Sequence, residues 1–291
     1  MKFREDFLLS LLCKSMNKTL IKKSSGALVP FSSEKLESSL FRSGASLELI
    51  KKITIAILRL PTERLTTKDV YKHAYQLLRK SSYQLAARYK LQKAILELGP
   101  SGYPFEEYVS HLFAFQGFDT SVGVAMNGKR IIHEVDVWAK NHEVQYIVEC
   151  KHHGNQSYKS DIKVVLYVHS RFNDIVSQLK KHQKPELQYK CWIVTNTRFT
   201  ADAISYASGE NIELMAWNFP SKGSLRERID ISGLYPITCL SSLTKSEKQH
   251  LLDQKIVLCK ELLDNPEHLS FIRSNKTTKV INECRSLVKG S

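Results

Sequence analysis

The sequence predicts an α/β protein: a mixed sheet flanked by helices, preceded by a β-hairpin plus four helices and followed by a small helical C-terminal segment. Three observations carry this. Between residues 131 and 217, β-branched runs that read as strands alternate with runs at helical spacing, the pattern of a sheet covered by helices. Near the start, two short apolar runs flank Ser24-Ser25-Gly26, and four helical stretches follow. Beyond residue 221 the apolar residues recur at helical spacing.

Residues 1–16 read as an extension, with Met16 a candidate start directly before the first strand. Residues 17–98 form the first domain: strands at Thr19–Lys23 and Ala27–Phe31, then helices from Ser32 or Ser33 to Phe41 and over 46–59, 67–80 and 82–97. Thr66 or Thr67 caps the third helix, with Asp69 in its first turn. Residues 99–220 form the second domain. Gly102-Tyr103-Pro104-Phe105-Glu106 opens a helix to about Gln116, with Phe105, Val109, Leu112 and Phe113 on one face. Strands follow at Ile131–Trp138 and Val144–Lys151, joined by the polar turn Lys140–Glu143. A helix over Lys159–Val176 packs behind them, and a buried strand at Cys191–Asn196, a helix opening at Thr197–Ala203 and a strand at Ile212–Trp217 complete the domain. Residues 220–224 read as a linker into a helical region, 221–291, whose main amphipathic run is Leu243–Leu263. A helical cap, a dimerisation element and a DNA clamp all fit that region.

The six cysteines, at 13, 150, 191, 239, 259 and 284, form no Cys-x-x-Cys pair, so neither a zinc framework nor a disulfide framework is expected, and a reducing cytoplasm is the natural setting. No apolar run reaches transmembrane length, and Glu5 and Asp6 break a signal-peptide pattern. The net charge of +14 is uneven: residues 1–98 carry 19 basic against 8 acidic side chains, residues 99–220 carry 12 against 13, and residues 221–291 carry 12 against 8. The first domain therefore faces polyanions, nucleotide phosphates or DNA, while the second holds its acidic residues for a site.

That site is Asp136 with Glu149-Cys150-Lys151. Alternation along a strand points Glu149 and Lys151 the same way and Cys150 into the other layer. Two carboxylates and an ammonium on adjacent strands are costly unless a cation or a substrate phosphate shares the site. A hard cation such as Mg²⁺ takes oxygen ligands, here Asp136, Glu149 and the backbone carbonyl of Cys150, and keeps several waters. It activates water and stabilises charge on a scissile phosphate, while Lys151 positions that water. The bland reading is an exposed ion pair of Glu149 with Lys151, and Glu134, on the same face as Asp136, reads as a solvated edge charge. His152 and His153 read as exposed histidines at a strand end.

These residues resemble the PD-(D/E)xK nuclease superfamily, and more narrowly the Mrr-like type IV restriction endonucleases, over residues 99–220. The Pro of the superfamily's name is absent, with Val135 before Asp136. The resemblance implies a Mg²⁺- or Mn²⁺-dependent DNA endonuclease in which Asp136 and Glu149 hold the metal, Lys151 positions the water and Glu106, in the Gly-x-x-Phe-Glu helix start, supports them. It also implies a homodimer or higher homo-oligomer, because cutting both strands pairs two sites. Residues 17–98, with Lys23, Gly26, Phe31 and Lys35, resemble the ATP-cone, a nucleotide-binding regulatory domain. That resemblance implies an ATP or dATP ligand on Lys23, Lys35 and Thr67, although Ser24-Ser25 replaces the family's Arg-Asp. No Gly-x-x-x-x-Gly-Lys-Ser/Thr loop occurs, which excludes a P-loop motor. The rival expectations are a catalytically inactive nucleotide-sensing DNA-binding protein, and a structure-specific repair nuclease or RNase on the same fold.

Overall fold

The computed structural model describes residues 20–23, 26–61, 65–99, 101–181 and 187–288. The expected extension 1–16, Thr19 and the turn residues Ser24 and Ser25 lie outside them. The chain divides into two compact units after Leu91.

In the first unit, β1 (Leu20–Lys22) and β2 (Leu28–Pro30) pair antiparallel, with Ile21 opposite Val29. Their turn closes through Gly26, whose φ of +85° is a conformation glycine adopts without strain. The helices are α1 (Ser33–Arg42), α2 (Leu47–Leu58), α3 (Thr67–Ser81) and α4 (Tyr83–Leu96), the last running across the division. Thr66 caps α3 in a box with Asp69: the Asp69 N–H donates to Thr66 Oγ1 at 3.1 Å, and the Thr66 N–H donates to Asp69 Oδ2 at 3.1 Å. Ile21, Phe31, Leu36, Leu40, Ile53, Ile57 and Leu78 fill the core.

The second unit opens with α5 (Tyr103–Phe115), whose Phe105, Tyr108, Val109, Leu112 and Phe113 form one buried stripe. The sheet follows: β3 (Asp119–Asn127), β4 (Ile132–Lys140) and β5 (Val144–Lys151) run antiparallel, and β7 (Gln188–Thr195) and β9 (Glu213–Met215) add parallel to β5. β6 (Lys159–Ser160) pairs with β8 (Arg198–Phe199) outside it. The crossover from β5 to β7 is α6 (Ile162–Leu179), capped by Asp161, and α7 (Ala201–Gly209) precedes β9. α5 covers one face, with Phe113 against Tyr146 and Trp192. α6 covers the other: Val165 and Val168 pack with Cys191 and Ile193, and Ile175 and Val176 with Val135 and Ile147.

Alternation in β4 slips near Asp136. Val135 and Trp138, three apart, both join the cluster under α6, whereas Val137 pairs with Val148 on the side of Tyr146, under α5. Gly123, opposite on β3, has φ +64°. The β3–β4 register is the same on both sides, Val122 opposite Val137 and Val124 opposite Val135, so the side chains change face without an inserted residue.

The C-terminal region belongs to the second unit. Residues 220–224 were expected as a linker, but Ser224 there caps α8 (Leu225–Ser232). The Tyr108 hydroxyl donates to Leu234 O at 2.7 Å, and the Thr238 hydroxyl to Ala94 O at 2.7 Å. The amphipathic run 243–263 is two helices, α9 (Lys245–Asp253) and α10 (Cys259–Asp264), not one. The break occurs because Ile256, Val257 and Leu258 are all buried, and an extended segment lets Val257 O accept from Ile237 N while Cys259 N donates to Tyr235 O. α11 (Ser274–Val288) closes the unit. Within the described residues, cysteines 150, 191, 239, 259 and 284 are buried thiols outside any disulfide, and no helix is long and apolar enough to cross a membrane.

Glu283 of α11 is 8% exposed, and its carboxylate accepts from the backbone N–H and hydroxyl of both Ser241 and Ser242. Burial alone would raise its pKa, but these four donors hold it below the usual carboxylate value. Glu283→Ala is expected to cost about 2–3 kcal/mol in urea unfolding at pH 7, because it strands buried donors. Since the folded pKa is depressed, wild-type stability from this group is present above the ordinary Glu pKa and is lost on acidification, so the gap between variant and wild type narrows by about pH 3.

Candidate active site

Four sequence-selected residues meet beside α5, where the C-terminal end of β5 runs alongside the middle of β4. At the slip in β4, Asp136 turns its Oδ2 to accept the Cys150 N–H at 2.7 Å, taking the place of a ladder bond. A strand residue's N–H and C=O leave on the same edge, so the Cys150 carbonyl leaves on the Asp136 side. Glu149 is 6% exposed, and its carboxylate is held from both sides. Lys151 Nζ donates to Oε1, and Arg171 Nη1 of α6 donates to Oε2 at 2.7 Å. Arg171 Nη2 also donates to the Glu134 carbonyl, and its guanidinium lies 5.3 Å from the Tyr167 ring centre. Behind the site, the strand ends are pinned: Thr195 Oγ1 donates to Lys151 O at 2.8 Å, and Asn196 accepts the His153 N–H at 2.9 Å while donating to His153 O at 2.8 Å.

The electrostatics are those of carboxylates crowded with too little positive charge. Burial, then Asp136, Glu134 and Glu149, push the Glu106 carboxyl up to about 7. Burial, then Glu149, push Asp136 up to about 6, against the opposing pull of the Cys150 N–H, Lys151 and Arg171. Burial alone would lower the Lys151 ammonium pKa, but Glu149 and Asp136 outweigh it and hold it above its ordinary value, so Lys151 stays charged. The Cys150 thiol is buried and its pKa is far raised, which leaves it inert as a nucleophile.

Glu106, Asp136, Glu149, Lys151 and the Cys150 backbone are thus brought together. Lys23, Lys35 and Thr67 belong to the other unit: Lys23 is exposed in the β1–β2 turn, Lys35 is exposed in the first turn of α1, and Thr67 is half-buried at the start of α3. The two histidines after Lys151 are not the exposed pair expected. His152 Nε2 lies 3.1 Å from Ile95 O, with its ring so close to Gly99 that a Cβ there would clash. His153 Nε2 lies 3.1 Å from Ser160 Oγ, with its ring tilted against Tyr158 at 4.4 Å between ring centres. Burial lowers both pKa values, so both are neutral at pH 7. Glu134 is exposed as expected, but on the interior strand β4 rather than at a sheet edge, and it adds to the repulsion on Glu106.

Arg171 escaped the reading of the sequence, although a signal for it exists. It stands three residues after Val168 and four before Ile175, on the buried stripe of α6, where a cation needs an anionic partner. Among the described residues, no three His, Cys, Asp or Glu side chains gather as a metal cage. The oxygen donors that do converge, the Asp136 and Glu149 carboxylates beside the Cys150 backbone, are of the hard kind that would suit Mg²⁺ or Mn²⁺ better than zinc.

The five-strand mixed sheet and its two covering helices are consistent with a restriction-endonuclease-like fold, and residues 99–218 match the restriction endonuclease family. Residues 235–288 match the family described as AF1548-like, C-terminal. A protein of Archaeoglobus fulgidus described only as uncharacterized is 30% identical over 183 residues, covering 62% of this chain and 99% of the relative. A crystal structure of a protein of unknown function, AF1548, superposes with a TM-score of 0.54 at 29% identity, over 66% of this chain and 100% of that one. The chain belongs to the same family as that Archaeoglobus fulgidus protein, and within it residues 99–218 are a restriction endonuclease domain and residues 235–288 an AF1548-like C-terminal region. Neither matched span reaches the N-terminal unit.

Because folding raises the pKa of Glu106 and Asp136, the metal-free protein loses stability as pH climbs from about 4 through about 7. Glu106→Gln and Asp136→Asn remove that penalty. Each is expected to raise unfolding free energy at pH 8, in EDTA, by about 1–2 kcal/mol, with the gain vanishing near pH 4. The double variant gains less than the sum, because the two carboxylates repel one another. Denaturant melts across that range measure it.

Proposed function

We propose that this chain is a divalent-metal-dependent endonuclease that hydrolyses phosphodiester bonds of DNA. The observation that supports this most is the convergence of Asp136, Glu149 and Lys151 around the Cys150 backbone, with Glu106 beside them, all at raised charge density. Glu106 and Asp136, raised first by burial and then by neighbouring carboxylates, mark a place where a bound cation would be favoured, and the oxygen donors fit Mg²⁺ or Mn²⁺. Asp136, Glu149 and the Cys150 carbonyl would hold that ion. When bound, it supplies Lewis acidity toward a phosphate and lowers the pKa of a water nucleophile.

The protein's own residues do the rest. Lys151, kept protonated by Glu149 and Asp136, orients the attacking water and neutralises charge developing on the phosphate. Arg171 fixes the Glu149 carboxylate from the opposite side, so that Glu149 does not swing with Lys151. Glu106 supports the anionic wall behind Asp136. The Asn196 and Thr195 contacts hold the strand ends, keeping Lys151 in register with Asp136. The N-terminal unit, with its excess of basic residues, supplies the polyanion-facing surface, and a purine nucleotide at Lys23, Lys35 and Thr67 adjusts oligomeric state and thereby cleavage.

In a plasmid assay with Mg²⁺ or Mn²⁺, wild type is expected to nick or linearise DNA, and Asp136→Ala and Lys151→Ala to fall at least about 100-fold. No cleavage with any metal while DNA binding persists would favour an inactive fold used for binding. Equal cleavage by wild type and variants would place the chemistry elsewhere. RNA and branched DNA in the same assay separate the repair-nuclease and RNase readings. For regulation, ATP or dATP is expected to shift the light-scattering mass and the cleavage rate together, both effects disappearing in Lys23→Ala/Lys35→Ala. Indifference of both quantities would remove the nucleotide from the proposal.

A further inference from the structure

The turn between β3 and β4 is built with more care than a solvent loop requires. Its tip, Gly128-Lys129-Arg130-Ile131, joins Asn127 to Ile132, and the four side chains from Lys129 to Ile132 are exposed. Ile131 is 63% and Ile132 68% exposed, adjacent to each other and to two cations. Isolated exposed apolar residues need no explanation, but two bulky ones at the point of a rigid turn do.

Rigidity comes from Asp174 of α6, a different element. Its carboxylate accepts the Arg130 N–H at 3.1 Å and the Ile131 N–H at 3.4 Å, and lies 2.9 Å from His133 Nε2. Its carbonyl accepts the Lys129 N–H at 3.0 Å, and Gly128 N donates to Ile131 O at 2.8 Å, so every backbone donor from 128 to 131 is used. Gly128 is required because a Cβ there would collide with the Asp174 carboxylate. The hydrogen bond from His133, then those of the backbone, hold that carboxyl below its ordinary pKa, so the anchor is charged at neutral pH. Asp174 and Arg171 stand three apart on α6, one fixing the hairpin tip and the other fixing Glu149.

Ile132 precedes Asp136 by four residues, about 13 Å along a strand. That distance is comparable to a groove of duplex DNA, and a two-stranded ribbon fits the major groove. A fixed tip carrying a Lys-Arg pair beside two exposed isoleucines offers cations for phosphates and apolar surface for base edges or a base step.

We infer that the β3–β4 hairpin tip is a groove-reading element for duplex DNA, with Lys129 and Arg130 on the backbone phosphates and Ile131 and Ile132 entering the groove next to the scissile position. This rests on the nuclease reading for the choice of DNA and deepens it, by naming what presents the duplex to the site. Charge complementarity selects the occupant: a second copy of this chain would bring Lys129 and Arg130 against their own like charges across a symmetric contact.

The test measures binding of a short fluorescent duplex by the full chain carrying Lys151→Ala with Mg²⁺ present, across a salt series. Lys129→Ala/Arg130→Ala is expected to lower the slope of log affinity against log salt by about 2, the signature of two lost phosphate contacts. Ile131→Ser/Ile132→Ser is expected to weaken binding at least about tenfold with the slope unchanged. Each pair is also made in the otherwise wild-type chain and assayed for cleavage. Because all four side chains are exposed, unchanged thermal melts accompany each variant, and sedimentation shows an unchanged mass. Wild-type affinity and cleavage in both variants would overturn the inference while leaving the nuclease reading intact. A fall in mass with the Ser pair would also overturn it, by making the tip a self-association contact. If the wild type cleaves nothing yet both variants lose duplex affinity as stated, the hairpin stands and the nuclease reading fails.

Discussion

The second unit is organised around one electrostatic constraint: Glu106, Asp136 and Glu149 lie within electrostatic reach of one another where the end of β5 meets the middle of β4, with Lys151 and Arg171 as the cations beside them. Folding places the acids there through apolar forces that take no account of charge. The buried stripe of α5 carries Glu106 in with Phe105, and β4 and β5 are zipped by Val137 with Val148. The repulsion that results is relieved in stages. The Cys150 N–H takes one Asp136 oxygen, and Lys151 and Arg171 share Glu149 between them. What is left is expressed as carboxyls titrating near 6 and 7, well above their usual range. Raised carboxyl pKa values of this kind cost local stability at neutral pH, and such perturbations cluster at functional sites.

α6 links this site to the surface around it. One turn of the helix supplies both Arg171, which braces Glu149, and Asp174, which ties down the β3–β4 tip. The apolar side of the same helix packs Ile175 and Val176 against Val135 and Ile147, so the distance between tip and site is set by core packing. The C-terminal helices are fastened to the same body through Tyr108 and Thr238 and through the Glu283 carboxylate. They behave as part of the unit that carries the sheet and not as an appendage on a linker.

Much of this was legible in the sequence, for physical reasons that can be named. Period-two alternation and β-branched content place β4 and β5, and that alone brings Asp136 toward Glu149 and Lys151. The spacing of Phe105, Val109, Leu112 and Phe113 places α5 and with it Glu106. β3 was missed because its residues Thr120, Val122, Val124 and Met126 alternate with small or polar ones around Gly123, a weak signal for a half-covered edge strand. The slip at Asp136 was not legible, because it depends on the partner strand and its positive-φ glycine. The break between α9 and α10 went unseen because Ile256, Val257 and Leu258 continue the apolar run while leaving the helix. The histidines after Lys151 are half-buried rather than exposed, because only tertiary packing beside Ile95 and Ser160 covers and satisfies them. Arg171 could have been found from its place on an apolar stripe.

The most direct test of the account is a calorimetric titration of the metal-free full chain with Mn²⁺, comparing wild type with Asp136→Asn at pH 7.5 and at pH 5.5. The account predicts saturable binding by wild type at the higher pH, weaker binding at the lower pH where Asp136 and Glu106 are protonated, and none by the variant. Equal binding by the two proteins, or no binding by wild type at either pH, would contradict it.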